Sequence, residues 1–157
     1  MVDVSGKAAT RREAHAYGFV ALSREVLQAL PQNPKGNPLE VARVAGIQAA
    51  KRTWDLIPMC HPLPLSLVDV RMKIIEDGIE IRTVAATTAG TGVEMEALTA
   101  ASIAALTIYD MCKGVDTTIT LEQAYIARKS GGKSGTVDFQ PSESPEPTPP
   151  EDAHSAS

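Results

Sequence analysis

SLVDVRMKII (Ser66–Ile75), EDG (Glu76–Gly78) and IEIRTVAA (Ile79–Ala86) read in order as strand, turn and strand. Both flanking runs are rich in β-branched residues, and the Glu-Asp-Gly between them has the composition of a hairpin turn. Five residues later the pattern changes. Gly92 to Lys113 reads GVEMEALTAASIAALTIYDMCK, with 13 uncharged residues between Glu96 and Asp110. An apolar helix of that kind is buried. A hairpin followed by a buried helix argues an α+β domain, an antiparallel sheet with helices packed on one face.

Working outward, His15–Leu22 reads as a first strand, and Ser23 can cap a short helix that stops near Pro31. Asn37, Pro38 and Glu40 signal the start of a second helix. Val41, Val44, Ala45, Ile47 and Trp54 follow at helical spacing, and the helix should end before Pro58. Pro58-Met59-Cys60-His61-Pro62-Leu63-Pro64 holds three prolines and excludes regular structure. A last strand is expected over Thr117–Ala127, before a basic, glycine-rich loop from Arg128 to Gly135.

The net charge of −4 hides an asymmetry. Five acids and no bases follow Lys133, so residues 1–137 carry 15 basic and 14 acidic groups. A near-neutral body excludes bulk nucleic-acid binding. Pro141–Ser157 holds five of the 11 prolines and little to bury, so disorder is expected there. The expected division is a folded domain over residues 1–136 and an acidic tail over 137–157. There is no apolar run that would span a bilayer and no secretory signal pattern. Two cysteines do not make a disulfide framework, and a cytoplasmic location is the simplest expectation.

Several motifs have a plain reading beside a chemical one. Lys129-Ser130-Gly131-Gly132-Lys133-Ser134-Gly135 contains Gly-Lys-Ser, but a phosphate loop needs glycine where Ala127 stands and a helix to follow. It is either a solvated basic turn or a flexible phosphate contact. Cys60-His61 lacks the partners of a zinc site, so no metal is assigned. Lys35 alone is an exposed loop lysine, and Lys51 alone complements a helix C-terminus. Asp110 and Lys113 lie one turn apart and can form an acid–base pair in which the lysine keeps the aspartate ionised. Glu94 and Glu96 fall in the first turn of the same helix, where the dipole favours acids. Glu96 and Asp110 are 14 residues apart, about 21 Å along a helix. If both ends serve one small substrate, a second subunit must supply one of them.

These residues, taken together, resemble a known family. Ala42-Arg43-Val44-Ala45-Gly46-Ile47-Gln48-Ala49-Ala50-Lys51-Arg52-Thr53-Trp54-Asp55-Leu56-Ile57-Pro58, then Cys60-His61-Pro62, is similar to the signature of cyclic pyranopterin monophosphate synthase, the MoaC family. So are Thr91 to Ala100, Ile108 to Lys113, Lys129 to Gly135 and the opening Met1-Val2-Asp3-Val4-Ser5. The resemblance implies a ferredoxin-like fold and a hexamer of three dimers with active sites at subunit interfaces. It also implies the conversion of a cyclised dihydro-GTP to cyclic pyranopterin monophosphate with release of pyrophosphate, downstream of a radical SAM GTP cyclase. No cofactor is implied; any magnesium would arrive with the triphosphate rather than be held by the protein.

On this resemblance Asp110 is the catalytic aspartate and Lys113 its partner, with Lys35 and His61 as further catalytic candidates. Met59, Cys60, His61, Glu94, Met95, Glu96, Lys51, Lys129 and Lys133 fall on substrate-binding positions. Two departures stand out: Gly90 where a basic or polar residue is usual, and Met59 where leucine is usual. Two other classes of function would use the same residues differently. A non-catalytic nucleotide- or pterin-binding module would keep the lysines without needing Asp110, and a structural oligomer would use the charged helix tips as interface salt bridges.

Overall fold

The computed structural model describes residues 1–139. Strand β1 (Thr10–Ala21) leads through helix α1 (Arg24–Ala29) and a single 3-10 turn into helix α2 (Pro38–Lys51) and a short helix α3 (Thr53–Leu56). The hairpin β2 (Leu65–Ile75) and β3 (Gly78–Ala89) follows, then the long helix α4 (Glu94–Cys112), strand β4 (Thr120–Ser130) and a two-residue strand β5 (Val137–Asp138). The antiparallel sheet runs β2-β3-β1-β4-β5. Its first four strands with α2 and α4 form the β-α-β-β-α-β pattern of a ferredoxin-like fold. The expected α+β class, with an antiparallel sheet under a helical layer, is the one observed.

Local signals explain most boundaries. Ser23 accepts a hydrogen bond from the Val26 N–H, and Asn37 accepts from the Leu39 and Glu40 N–H groups, so both helices start on side-chain caps. The hairpin register pairs Ile75 with Gly78 and Ile74 with Ile79, closing on a two-residue Glu76-Asp77 turn. β1 starts at Thr10, five residues before the expected start. Thr10–Ala14 pair with Ala85–Ala89 and complete a 12-residue ladder. β4 is shifted towards its C-terminus relative to the expected Thr117–Ala127. It runs into the basic loop as far as Ser130 because Glu13 and Ala14 of β1 pair with Ser130 and Lys129.

The second helix corrects the sequence reading. It ends at Lys51 and restarts as α3 after a break at Arg52. Most of its apolar stripe does not face the core, and of the stripe's large residues Ile47 alone packs, partly buried, against it. Val41, Val44 and Trp54 are exposed, at 42%, 57% and 51%, while Ala42, Gly46, Ala49 and Ala50 are buried. Small residues face inward because α2 lies close against α4. A Cβ at Gly46 would stand 2.8 Å from the Ala100 carbonyl oxygen and 3.3 Å from Val70 Cγ2. Gly46→Ala is therefore expected to lower the melting temperature, because overpacking costs about 1–3 kcal/mol against a helix-propensity gain of about 1 kcal/mol. A stabilised variant would show that the two helices can separate freely.

The core is the sheet's inner face against α4. Ala14, Ala16 and Val20 of β1, Ile79, Ile81 and Ala85 of β3, and Ala97, Ala100, Ala101, Ala104 and Ile108 of α4 share one buried cluster. Thr83 donates to the Ala97 carbonyl at 2.7 Å, tying β3 to the helix and satisfying a buried hydroxyl. Among the described residues no helix is long and apolar enough to cross a membrane. The expected disorder of Pro141–Ser157 lies outside the described residues.

Candidate active site

Helix α4 is a rigid rod with chemistry at both tips. At its C-terminal end the Asp110 carboxylate is gripped by two lysines. Lys113 Nζ lies 2.7 Å from Oδ1 and Lys35 Nζ lies 2.9 Å from Oδ2. Lys35 Nζ also donates to the Asp110 carbonyl oxygen at 3.1 Å. That carbonyl is one of the four a helix leaves unpaired at its C-terminus. A carboxylate at this tip opposes the helix dipole, and the two ammonium groups offset it. Lys113 first, and then Lys35, hold the Asp110 carboxyl down to about 2. Asp110 in turn raises the Lys113 ammonium above its ordinary value.

All three side chains are half exposed, so their pairing contributes little to stability. They line an open cleft of about 490 Å³, together with Asn33, Pro34, Met111, Gly114 and Val115. The pairing thus presents a preorganised charge cluster to a ligand-sized space rather than stapling the fold.

At the N-terminal tip, Glu94 and Glu96 occupy the first turn, where the helix has no side-chain cap. Lys129 Nζ lies 3.3 Å from Glu94 Oε1. Glu96 is 4% exposed, and no cationic partner is placed on it among the described residues. Burial raises its carboxyl to about 7, its own backbone N–H partly offsets that, and the Glu94 charge adds to the rise. Burial, and then the charge of Glu96, raise the Cys60 thiol, which places Cys60 in the field of this tip.

The hairpin register brings other candidates to the same end. Leu65 of β2 and Arg12 of β1 both pair with Thr87, just before α4 begins. Met59, Cys60 and His61 lie in the segment leading to Leu65. Met59 is exposed, while Cys60 and His61 are partly buried. Lys51, at the end of α2, lines a groove with Leu63, Leu65 and Leu67. Met95 is exposed beside Glu96, and Lys133 is exposed in the glycine turn that follows β4.

The candidates therefore divide. Lys35, Asp110 and Lys113 stand at one end of α4. Lys51, Met59, Cys60, His61, Glu94, Met95, Glu96 and Lys129 stand at the other, with Lys133 in the adjoining turn.

One residue at the N-terminal end was missed in the sequence. Arg12 lines a small cleft with Glu94, Lys129, Ser130 and Ser134. Its Nε is buried without a partner. Gly131 and Gly132 have positive φ, and a Cβ at Gly132 would overlap the Arg12 guanidinium. The glycine turn is thus shaped to lie against this arginine. The signal existed: Arg12 shares the inward face of β1 with Ala14, Ala16 and Val20, where a charge is out of place. Starting the strand at His15 hid it.

The Gly90 departure also has a structural account. A Cβ there would lie 3.3 Å from the carbonyls of Val4 and Lys7 and 3.4 Å from Lys7 Cβ. The N-terminal turn, closed by the Lys7 N–H on the Val4 carbonyl at 3.0 Å, occupies the space of the missing side chain. Among the described residues no group of three or more His, Cys, Asp or Glu is placed to hold a metal.

The model of the MoaC family matches residues 1–132, covering both tips of α4, the Cys60-His61 segment and the Arg12 and Lys129 strands. The chain belongs to the MoaC family and is an enzyme of molybdenum cofactor biosynthesis.

Proposed function

We propose that this enzyme converts 3',8-cyclo-7,8-dihydroguanosine 5'-triphosphate to cyclic pyranopterin monophosphate and pyrophosphate. It would act as a phosphorus–oxygen lyase that receives its substrate from a radical SAM GTP cyclase. The observation that carries the reading is the Lys35–Asp110–Lys113 cluster on an open cleft, separated along one rigid helix from a second set of polar residues.

The reaction must open a five-membered ring, close a pterin ring and transfer one phosphoryl group within the molecule. Ring rearrangement needs groups that accept and donate protons. Asp110, held ionised, accepts, while Lys113 and His61 are candidates to donate. Closing the cyclic phosphate means that a sugar-derived oxygen attacks the innermost phosphorus and the bond to pyrophosphate breaks. Charge grows on the departing oxygens, and cations positioned beforehand stabilise it. Lys35, Lys51, Lys129 and Lys133 are the cations assigned to the triphosphate, and Arg12 joins them. Glu94 and Glu96 face a guanine-like edge, which offers N–H donors to carboxylate acceptors, with Met59, Cys60 and Met95 as flanking contacts. The chemistry asks nothing of a resident cofactor.

A site that uses both tips of α4 needs two copies of the chain. The reading therefore includes a homo-oligomer, a hexamer of three dimers, with each site shared across an interface. The test is pyrophosphate release from the cyclised triphosphate by wild type and by Lys35→Ala. Loss of one charge-assisted contact in the transition state is expected to lower turnover by about tenfold or more. Normal release by the variant would remove Lys35 from the machinery. Full activity from a monomer would overturn the shared site.

A further inference from the structure

We propose that Asn33 is the positioning residue that holds Lys35 against Asp110, by fastening the Lys35 loop to the C-terminus of α4. The inference rests on the reading of Lys35 and Asp110 as catalytic partners. Lys35 and Asp110 are 75 residues apart in the chain, and Lys35 sits in a loop between two helices. A lysine side chain has four flexible bonds and little reason to stay in one place unless its backbone is fixed.

The backbone is fixed by Asn33 through both ends of its amide. Asn33 Nδ2 donates to the Met111 carbonyl at 2.7 Å, reaching across the fold to the last turn of α4. Asn33 Oδ1 accepts from the Lys35 N–H at 3.0 Å, and the Asn33 carbonyl accepts from the Gly36 N–H at 3.1 Å. Gly36 has a φ of 99°, so the turn closes in a left-handed conformation that glycine adopts without strain.

The loop and the helix end complement each other. Asp110 and Met111 present unpaired last-turn carbonyls, and these receive Lys35 Nζ and Asn33 Nδ2 respectively. Two of the three ammonium protons of Lys35 are then spoken for, one by the Asp110 carboxylate and one by its carbonyl. The third is left for a ligand in the cleft that Asn33, Lys35 and Asp110 line together. Only an amide performs both of the Asn33 tasks. A carboxylate at 33 could accept from the Lys35 N–H but could not donate to Met111. An alanine could do neither.

The experiment compares Asn33→Ala and Asn33→Asp with wild type by two readouts, after circular dichroism establishes that each variant is folded. One is the titration of the Asp110 carboxyl followed by carbon NMR. The other is turnover measured by pyrophosphate release. In both variants the Asp110 titration is expected to move upward, towards the ordinary carboxylate range, while staying below it because Lys113 remains. Turnover is expected to fall by about tenfold, the equivalent of one lost hydrogen bond. Asn33→Ala is the decisive arm, because it removes both amide contacts without adding charge, whereas the new carboxylate of Asn33→Asp would by itself raise the Asp110 titration. An unmoved Asp110 titration in Asn33→Ala overturns the proposal whatever the turnover. A moved titration with normal turnover keeps the positioning role and instead removes the Lys35–Asp110 contact from catalysis.

Discussion

Asp110→Asn is expected to lower pyrophosphate release by roughly 100- to 10,000-fold, the range associated with loss of one positioned proton-transfer group. The fold should be untouched, since Asp110 is 52% exposed and its ion pairs carry little stability. Ligand binding should persist, because Lys35 and Lys113 remain and no longer have a carboxylate to neutralise them. Unchanged turnover would support a non-catalytic binding module. Loss of assembly together with activity would support a structural role for the helix tips. The shared-site geometry adds a sharper form of the test. Copies carrying Asp110→Asn and copies carrying Glu94→Ala damage opposite ends of α4. If each site draws one end from each of two subunits, mixing two inactive variants restores part of the activity. No recovery from mixed oligomers would mean that each chain completes its own site.

The clamp on Asp110 also has a consequence for mechanism. A carboxylate held near 2 is a weak base at neutral pH, and proton transfer works best when the group matches the ambient pH. In the proposed reaction, a triphosphate competing for Lys35 or Lys113 would release that clamp and raise the basicity of Asp110 on binding.

Glu96→Gln is expected to stabilise the protein above pH 7 and to leave it nearly unchanged below pH 4.5. The sign follows from the direction of the shift. Burial lifts the Glu96 carboxyl from its ordinary 4.5 to about 7 in the folded chain. Between those values the unfolded chain has released a proton that the folded chain still holds. Stability from this group is full below the ordinary value and is lost as pH rises through about 7. The whole effect is on the order of 3 kcal/mol. Glutamine keeps the shape and a hydrogen-bond acceptor without the charge, so the stability gap between variant and wild type should open between pH 5 and pH 8. Urea unfolding at those two pH values measures it. Absence of any gap would show that Glu96 is not desolvated in solution, as when a cation from a second copy reaches it. The Glu94 charge raises this carboxyl and this carboxyl raises the Cys60 thiol, and neither neighbour supplies positive charge.

Much of the molecule was legible in the order of residues alone. The hairpin, the capped helix starts at Ser23 and Asn37 and the uncharged middle of α4 rest on local rules of periodicity, capping and turn chemistry. Those rules act within a few residues of chain. The sharing of one helix by Glu96 and Asp110, and the distance between them, also follow from covalent spacing and helical rise.

Tertiary structure decided what depends on which surfaces meet. Val41, Val44 and Trp54 have helical spacing, yet α2 turns its alanines and Gly46 inward because only small residues allow it so close to α4. Arg12 became visible only when pairing with β3 extended β1 back to Thr10. Lys35 met Asp110 because a loop between α1 and α2 docks on the end of a helix 75 residues away. No local rule reports such a meeting, since its free energy lies in contacts between segments that sequence separation keeps apart until the chain has folded.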